Sequence, residues 1–146
     1  DMYNETGSTI LGCQEVEKEA VSSYGIIKGV PTETSNLYRV EDMVEKPAIE
    51  EAPSGTAVLG RYVITPDIFP ILEQTQPGKG GEIQLTDALR VMAKNSSVYA
   101  YNFEGRRYDV GNKLGFLEAT VEFALRRKDL GGPFAEYLKQ VVSEMK

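Results

Sequence analysis

The sequence contains no histidine and a single cysteine. Without imidazole there is no serine triad, no imidazole general base and no histidine-ligated zinc. Cys13, being alone, forms no intrachain disulfide and no cysteine metal cluster. Its place inside the apolar stretch from Thr9 to Val16 reads as a small buried hydrophobe in a reducing, cytoplasmic setting. Positive charge is also in deficit: 16 Lys plus Arg against 22 Asp plus Glu leave a formal charge of −6. An acidic chain lacks the basic surface that nucleic acids and anionic membranes require, so neither is expected as a partner. No apolar run approaches the roughly 18 residues of a membrane-spanning helix. The start Asp1-Met2-Tyr3-Asn4 has no basic segment leading into an apolar one, so no export signal is visible. A first residue of Asp leads us to expect a missing beginning.

What is present suits one globular core. The chain has 146 residues, 41% hydrophobic and 26% charged, enough to bury roughly two-thirds of the unfolded surface. Strand and helix patterns alternate along it. Asp1 to Thr6 reads as the last turn of a helix with Gly7 at its C-cap. Strands are expected over Ser8 to Val16, Gly25 to Val30 and Thr56 to Ile64, and over Ser97 to Phe103. Leu37 to Lys46 is extended, with Asp42 and Met43 breaking the alternation as a β-bulge does. Thr65-Pro66-Asp67 has the residue types of a helix start, with Thr at the N-cap and a helix running to about Gln74. A loop over Gln76 to Gly81 leads to a second helix opened by Thr86 and Asp87, with Leu85, Leu89 and Met92 inward. Asn112 caps a helix whose Leu114, Leu117, Val121 and Leu125 share a face. Gly131-Gly132-Pro133 stops it, and Phe134 to Met145 forms a terminal amphipathic helix able to dock on its own chain or on a partner. The stretch 112–146 is thus a pair of C-terminal helices and a possible dimer contact.

Four segments could carry chemistry. In Val44-Glu45-Lys46-Pro47, Glu45 could accept from sugar hydroxyls while Lys46 offers a point charge to a phosphate. Adjacent strand residues face opposite ways, so both reach one ligand only if the strand bends there or the ligand wraps its end. From these residues alone, solvated charges before a turn are the simpler account. In Arg107-Tyr108-Asp109-Val110-Gly111, Asp109 could serve Mg²⁺ as an oxygen ligand, or merely cap a turn before Asn112. The stretch Pro77 to Asp87 is rich in glycine, but its order is not that of a P-loop; a connector or a substrate-facing loop with Glu82 at its exit both remain open. Tyr24-Gly25 could bring backbone close to a ligand or be a simple turn.

Taken in order, Tyr24-Gly25, Val44-Glu45-Lys46-Pro47, Gly60-Arg61-Tyr62-Val63, the run from Gly80 to Asp87 and Tyr108-Asp109-Val110-Gly111 resemble the C-terminal half of bacterial UTP–glucose-1-phosphate uridylyltransferases. The likeness covers nearly the whole chain, and the runs Gly80 to Asp87 and Gly115 to Leu125 are its most specific parts. The resemblance implies an α/β fold, the C-terminal half of a doubly wound, Rossmann-like sugar nucleotidyltransferase with a mixed sheet and C-terminal helices. It implies Mg²⁺-dependent transfer of a uridylyl group from UTP to glucose 1-phosphate, giving UDP-glucose and pyrophosphate. By that resemblance Lys46 binds the sugar-linked phosphate, Glu45 the glucose hydroxyls, Gly25 the sugar through its backbone, and Asp109 the metal. Lys46 and Asp109 are the expected catalytic pair, and Glu82 and Tyr108 complete the expected substrate-binding set.

The family's N-terminal half carries a Gly-rich triphosphate loop and a later acidic pair, and nothing in this sequence matches either. The expectation is therefore a sugar-phosphate-binding portion over 1–146 that meets UTP through a missing half, is inactive alone, and belongs to a homo-oligomer. Three alternatives stand beside it. The nucleotide could be dTTP or ATP, the chain could be a non-catalytic dimerisation or sugar-binding module, or it could be an α/β fragment retaining no activity.

Overall fold

The computed structural model describes residues 1–145, with the side chain of Lys79 left aside. Two compact units divide it, residues 1–104 and residues 105–145. The first holds helix α1 (Met2–Thr6), strands β1 (Thr9–Glu15), β2 (Gly25–Pro31), β3 (Leu37–Glu45), β4 (Thr56–Val63) and β5 (Val98–Asn102), and helices α2 (Ile68–Gln74) and α3 (Leu85–Asn95). The second holds helices α4 (Lys113–Leu125) and α5 (Gly131–Glu144). No described helix is long and apolar enough to cross a membrane.

The sheet is mixed. β1 runs parallel to β5 and antiparallel to β4, while β2 pairs antiparallel with β3 and β4, and β3 antiparallel with β5. These pairings close a circuit in the order β1-β4-β2-β3-β5. β1, flanked on both edges, is buried from Thr9 to Leu11 and again at Cys13. Strand alternation then sorts residues between two cores. Ile27 and Val58 join Leu11, Met43, Leu89 and Met92 under the helices, whereas the neighbours Ile26 and Ala57 meet Val21 on the other side. Cys13 lies wholly inside, and burial, with Glu15's charge adding, pushes its thiol up to about 12. It is the inert buried hydrophobe that its setting suggested.

The bulge in β3 sits where the broken alternation placed it. Lys28 pairs with Asp42 but Gly29 pairs with Val40, leaving Glu41 unopposed. The extra residue re-aims Asp42, whose carboxylate takes Arg90 Nε at 2.5 Å and Nη2 at 2.9 Å. A bidentate pair thus ties α3 to β3. Gly7 is the left-handed C-cap of α1, at φ 62°, and the Asn112 side chain accepts from the amides of Leu114 and Gly115.

Three local expectations need correction. Thr65 does not cap α2, which begins only at Ile68. Its hydroxyl lies 3.1 Å from that of Thr9, which also accepts the Thr65 amide, so a partner from β1 has claimed the cap. Leu85 is 36% exposed, and the inward positions of α3 are Thr86, Ala88, Leu89 and Met92. Gly131-Gly132-Pro133 does not precede the last helix but forms its first turn, where a proline lacking its N–H is tolerated.

Candidate functional site

β2 begins and β3 ends at one corner of the first unit. Gly25 and Glu45 face each other across the antiparallel ladder, and the Lys46 amide donates to the Tyr24 carbonyl at 2.9 Å. Pro47 follows at once and is buried, so the strand stops there. Lys46 has φ 44°, a left-handed conformation uncommon for a residue other than glycine. That turn breaks the opposite-face geometry of a regular strand. It lets Lys46 Nζ stand 3.9 Å from Glu45 Oε1. Backbone held in a sparsely populated region by a hydrogen bond and a proline concentrates at sites where orientation matters.

The two charges are placed differently. Glu45's side chain is 17% exposed and Lys46's 54%, so the carboxylate is held within the fold while the ammonium reaches solvent. The Thr86 hydroxyl, at the first turn of α3, donates to Glu45 Oε2 at 2.5 Å. Gly25 completes the corner by having no side chain. A Cβ there would stand 2.9 Å from Val58 Cγ2, 3.1 Å from Glu45 Oε2 and 3.4 Å from Thr86 Oγ1. Tyr62 belongs to the packing around this region: burial chiefly, with Glu45's charge adding, raises its phenol above the ordinary value and keeps it neutral. The corner can therefore present a fixed acceptor, a mobile cation and bare backbone within one small region.

The glycine-rich loop reaches the same helix. The Gly78 amide donates to the Glu82 carbonyl at 2.8 Å, and a Cβ on Gly78 would fall 2.2 Å from Asp87 Oδ2. A side chain there would displace the Asp87 carboxylate. Glu82 itself is exposed on the loop ahead of the helix. Of the residues singled out from sequence, the structure brings Gly25, Glu45 and Lys46 together. Thr86, which faces them, has in the sequence only the mark of a helix opener. A threonine at a position spaced with Leu89 on the inward face was the one available signal, since a buried hydroxyl needs a partner.

In the second unit, Asp109 is exposed. Its Oδ1 accepts the Gly111 amide at 3.1 Å, and Oδ2 lies 3.5 Å from Arg107 Nη2. Gly115 lets α4 approach closely, for a Cβ there would lie 2.3 Å from the Asp109 carbonyl oxygen. Tyr108 donates its hydroxyl to Glu122 and accepts from Arg126 Nη2 at 2.8 Å, and Arg106 lies over its ring at 5.0 Å. The Glu122 hydrogen bond leads in raising the Tyr108 phenol, and the same bond leads in lowering Glu122. Among the described residues no group of three or more Cys, Asp or Glu gathers to hold a metal ion.

Residues 2–125 match the nucleotidyl transferase family. The chain is 48% identical over 141 residues to the UTP–glucose-1-phosphate uridylyltransferase of Staphylococcus epidermidis, covering 97% of this chain and 49% of that protein. With the protein of the same description from Bacillus subtilis it shares 46% over 144 residues, 99% of this chain and 49% of that one. Among solved structures it is similar to a UDP-glucose pyrophosphorylase complexed with UDP-glucose, with a TM-score of 0.81 at 48% identity over 86% of this chain and 47% of that chain. A UTP-bound UGPase from Acinetobacter baumannii gives 0.79 at 33% identity over 99% and 48%. The likeness read from the order of the motifs, and the mixed α/β architecture it implied, are borne out. The chain spans about half the length of the curated relatives it matches.

Proposed function

Because this chain belongs to the nucleotidyl transferase family, we propose that it forms the sugar-phosphate side of an enzyme that joins UTP and glucose 1-phosphate into UDP-glucose and pyrophosphate. The observation that carries this reading is the corner at the end of β3, where Glu45, Lys46 and the bare backbone of Gly25 converge. A carboxylate held by Thr86 suits sugar hydroxyls, which donate in fixed directions. An ammonium beside it suits the phosphate carried on the same sugar.

The chemistry agrees with the composition. In such a transfer a phosphate oxygen of the sugar 1-phosphate attacks the α-phosphorus of the nucleotide, a new phosphorus–oxygen bond forms, and the bond to the leaving pyrophosphate breaks. The attacking oxygen is already anionic, so no general base is called for, and a chain without histidine lacks nothing at that step. What the protein supplies is position and positive charge. In this reading Lys46 holds the attacking phosphate, Glu45 orients the sugar and Gly25 lets it approach the sheet.

Asp109 fits magnesium in kind, being an exposed oxygen donor, and Mg²⁺ characteristically takes one or two carboxylates together with substrate phosphates. Bound there, the ion would neutralise phosphate charge. The nucleotide contacts belong in this reading to sequence outside this chain, so the 146 residues alone are proposed to be inactive.

One experiment tests the reading: pyrophosphate release from UTP plus glucose 1-phosphate with Mg²⁺, comparing the full-length protein, its Lys46→Ala variant and this chain alone. Loss of a phosphate contact that strengthens in the transition state should lower kcat/KM by about 30-fold to 1,000-fold, or about 2 to 4 kcal/mol. This chain alone should release none. Unchanged kinetics in Lys46→Ala would return that residue to the solvated surface.

A further inference from the structure

Thr86 has no role in the reading above beyond contact with Glu45, yet its surroundings make it more than a helix opener. Thr86 is buried in the first turn of α3. Ionised carboxylates only accept hydrogen bonds, so the 2.5 Å contact has Thr86 as donor and Glu45 Oε2 as acceptor. That oxygen is committed, and the other, Oε1, faces the Lys46 ammonium. Turning the carboxylate out of its present plane would break the Thr86 bond.

Thr86 is itself held. Ala88, Leu89 and Met92 anchor α3 in the core, and Arg90, one helical turn beyond Thr86, grips Asp42 through both carboxylate oxygens. On the same first turn, Asp87 closes against Gly78. The orientation of Glu45 therefore inherits the rigidity of the core through a single hydroxyl. Sugar epimers differ in the direction of one hydroxyl, and a carboxylate separates them only while its own direction is fixed.

Resting on the sugar-site reading, we infer that Thr86 is a positioning residue that locks the Glu45 carboxylate and so sets discrimination between hexose epimers. In this inference it acts without touching the sugar. Its contribution passes through the angle of Glu45.

The test measures UDP-glucose and UDP-galactose affinity by calorimetry on the full-length protein and on Glu45→Gln, Thr86→Val and Thr86→Ser variants, each checked by thermal melting. Thr86→Val, which keeps the shape and removes the donor, should weaken UDP-glucose binding about tenfold and narrow the preference over UDP-galactose. Thr86→Ser, which keeps the donor, should stay within about twofold of wild type on both counts. If Thr86→Val melts early, Thr86→Ala is read in its place. Binding and preference unchanged in Thr86→Val would overturn the inference, as would a loss in Thr86→Ser equal to that in Thr86→Val, which would mark a packing role. Glu45→Gln binding like wild type would sink the sugar-site reading itself, and the inference with it.

Discussion

The two units of the chain are held together by different physics. In residues 1–104, Leu11, Ile26, Ile27, Met43, Leu89 and Met92 are almost wholly excluded from solvent. In residues 105–145, only Ala119 and Gly131 are buried among the described residues. There Leu117 is 58% exposed and Val142 66%. The side-chain contacts of this second unit are largely polar and exposed: Arg106 to Glu118 and Glu122, Arg126 to Glu122 and Tyr108, and the Asn112 cap, beside the ring contact of Tyr108 with Phe123. Burial scales with area and resists salt, whereas exposed ion pairs are screened and individually weak. A corner built on the first unit can hold a carboxylate at a fixed angle.

Truncating one leucine in each unit tests this contrast most severely. Leu89→Ala removes a side chain from the middle of the main core and should lower stability by about 2 to 5 kcal/mol. Leu117→Ala, at an exposed site on α4, should stay within about 0.5 kcal/mol of wild type. Urea titration followed by circular dichroism measures both. Equal losses would mean that Leu117 is covered in solution and that the second unit has a core of its own.

The same contrast explains what the sequence made legible. Gly7, the β3 bulge and the Asn112 cap could be read because each is decided within a few residues. Thr65 misled because its hydroxyl was taken by Thr9, 56 positions away, and no local pattern announces such a partner. Helical spacing of Leu114, Leu117, Val121 and Leu125 read correctly as helix, but spacing does not say whether anything covers the face, and Leu114 and Leu117 stand exposed. At the candidate site, Glu45 and Lys46 alone looked like solvated charges, and only the ordered set of motifs raised them above that. The left-handed turn at Lys46 and the threonine behind Glu45 are tertiary facts. So are the partners of the Tyr108 hydroxyl, Glu122 and Arg126, which lie 14 and 18 positions along the chain.

A smaller effect concerns the ion pair inside the first unit. Asp42 titrates below its ordinary value of 3.8, chiefly through its hydrogen bonds from Arg90. A carboxyl whose folded value is depressed adds stability above its unfolded value, and that stability disappears as pH falls through the folded one. The window is therefore below about pH 4. Because the two side chains are 33% and 42% exposed, screening limits the contribution to about 1 kcal/mol or less at neutral pH. Asp42→Asn should lose that amount at pH 7 and show a shallower fall in stability between pH 4 and pH 2. Superimposable acid-denaturation curves would show that the pair does not anchor α3.

The least perturbing change probes the second unit through its own network. Glu122 accepts from the Tyr108 hydroxyl and pairs with Arg106 and Arg126, all at the surface. The carboxylate opposes ionisation of the phenol whose hydrogen bond it accepts, whereas the two guanidinium groups favour it. Glu122→Gln keeps an acceptor for the hydroxyl but removes the negative charge, so the arginines dominate and the Tyr108 titration should move down from its raised position. Global melting should hardly change, since no buried area is lost. Carbon-13 labelling of the tyrosine rings follows each phenol separately through alkaline pH, and Tyr108 is assigned by its loss in Tyr108→Phe. Raising the salt concentration should shrink the shift, because these charges are solvated. An unmoved Tyr108 titration, at low and high salt alike, would mean that the second unit is ordered by something other than this network, and the contrast between the two units would fail at its polar end.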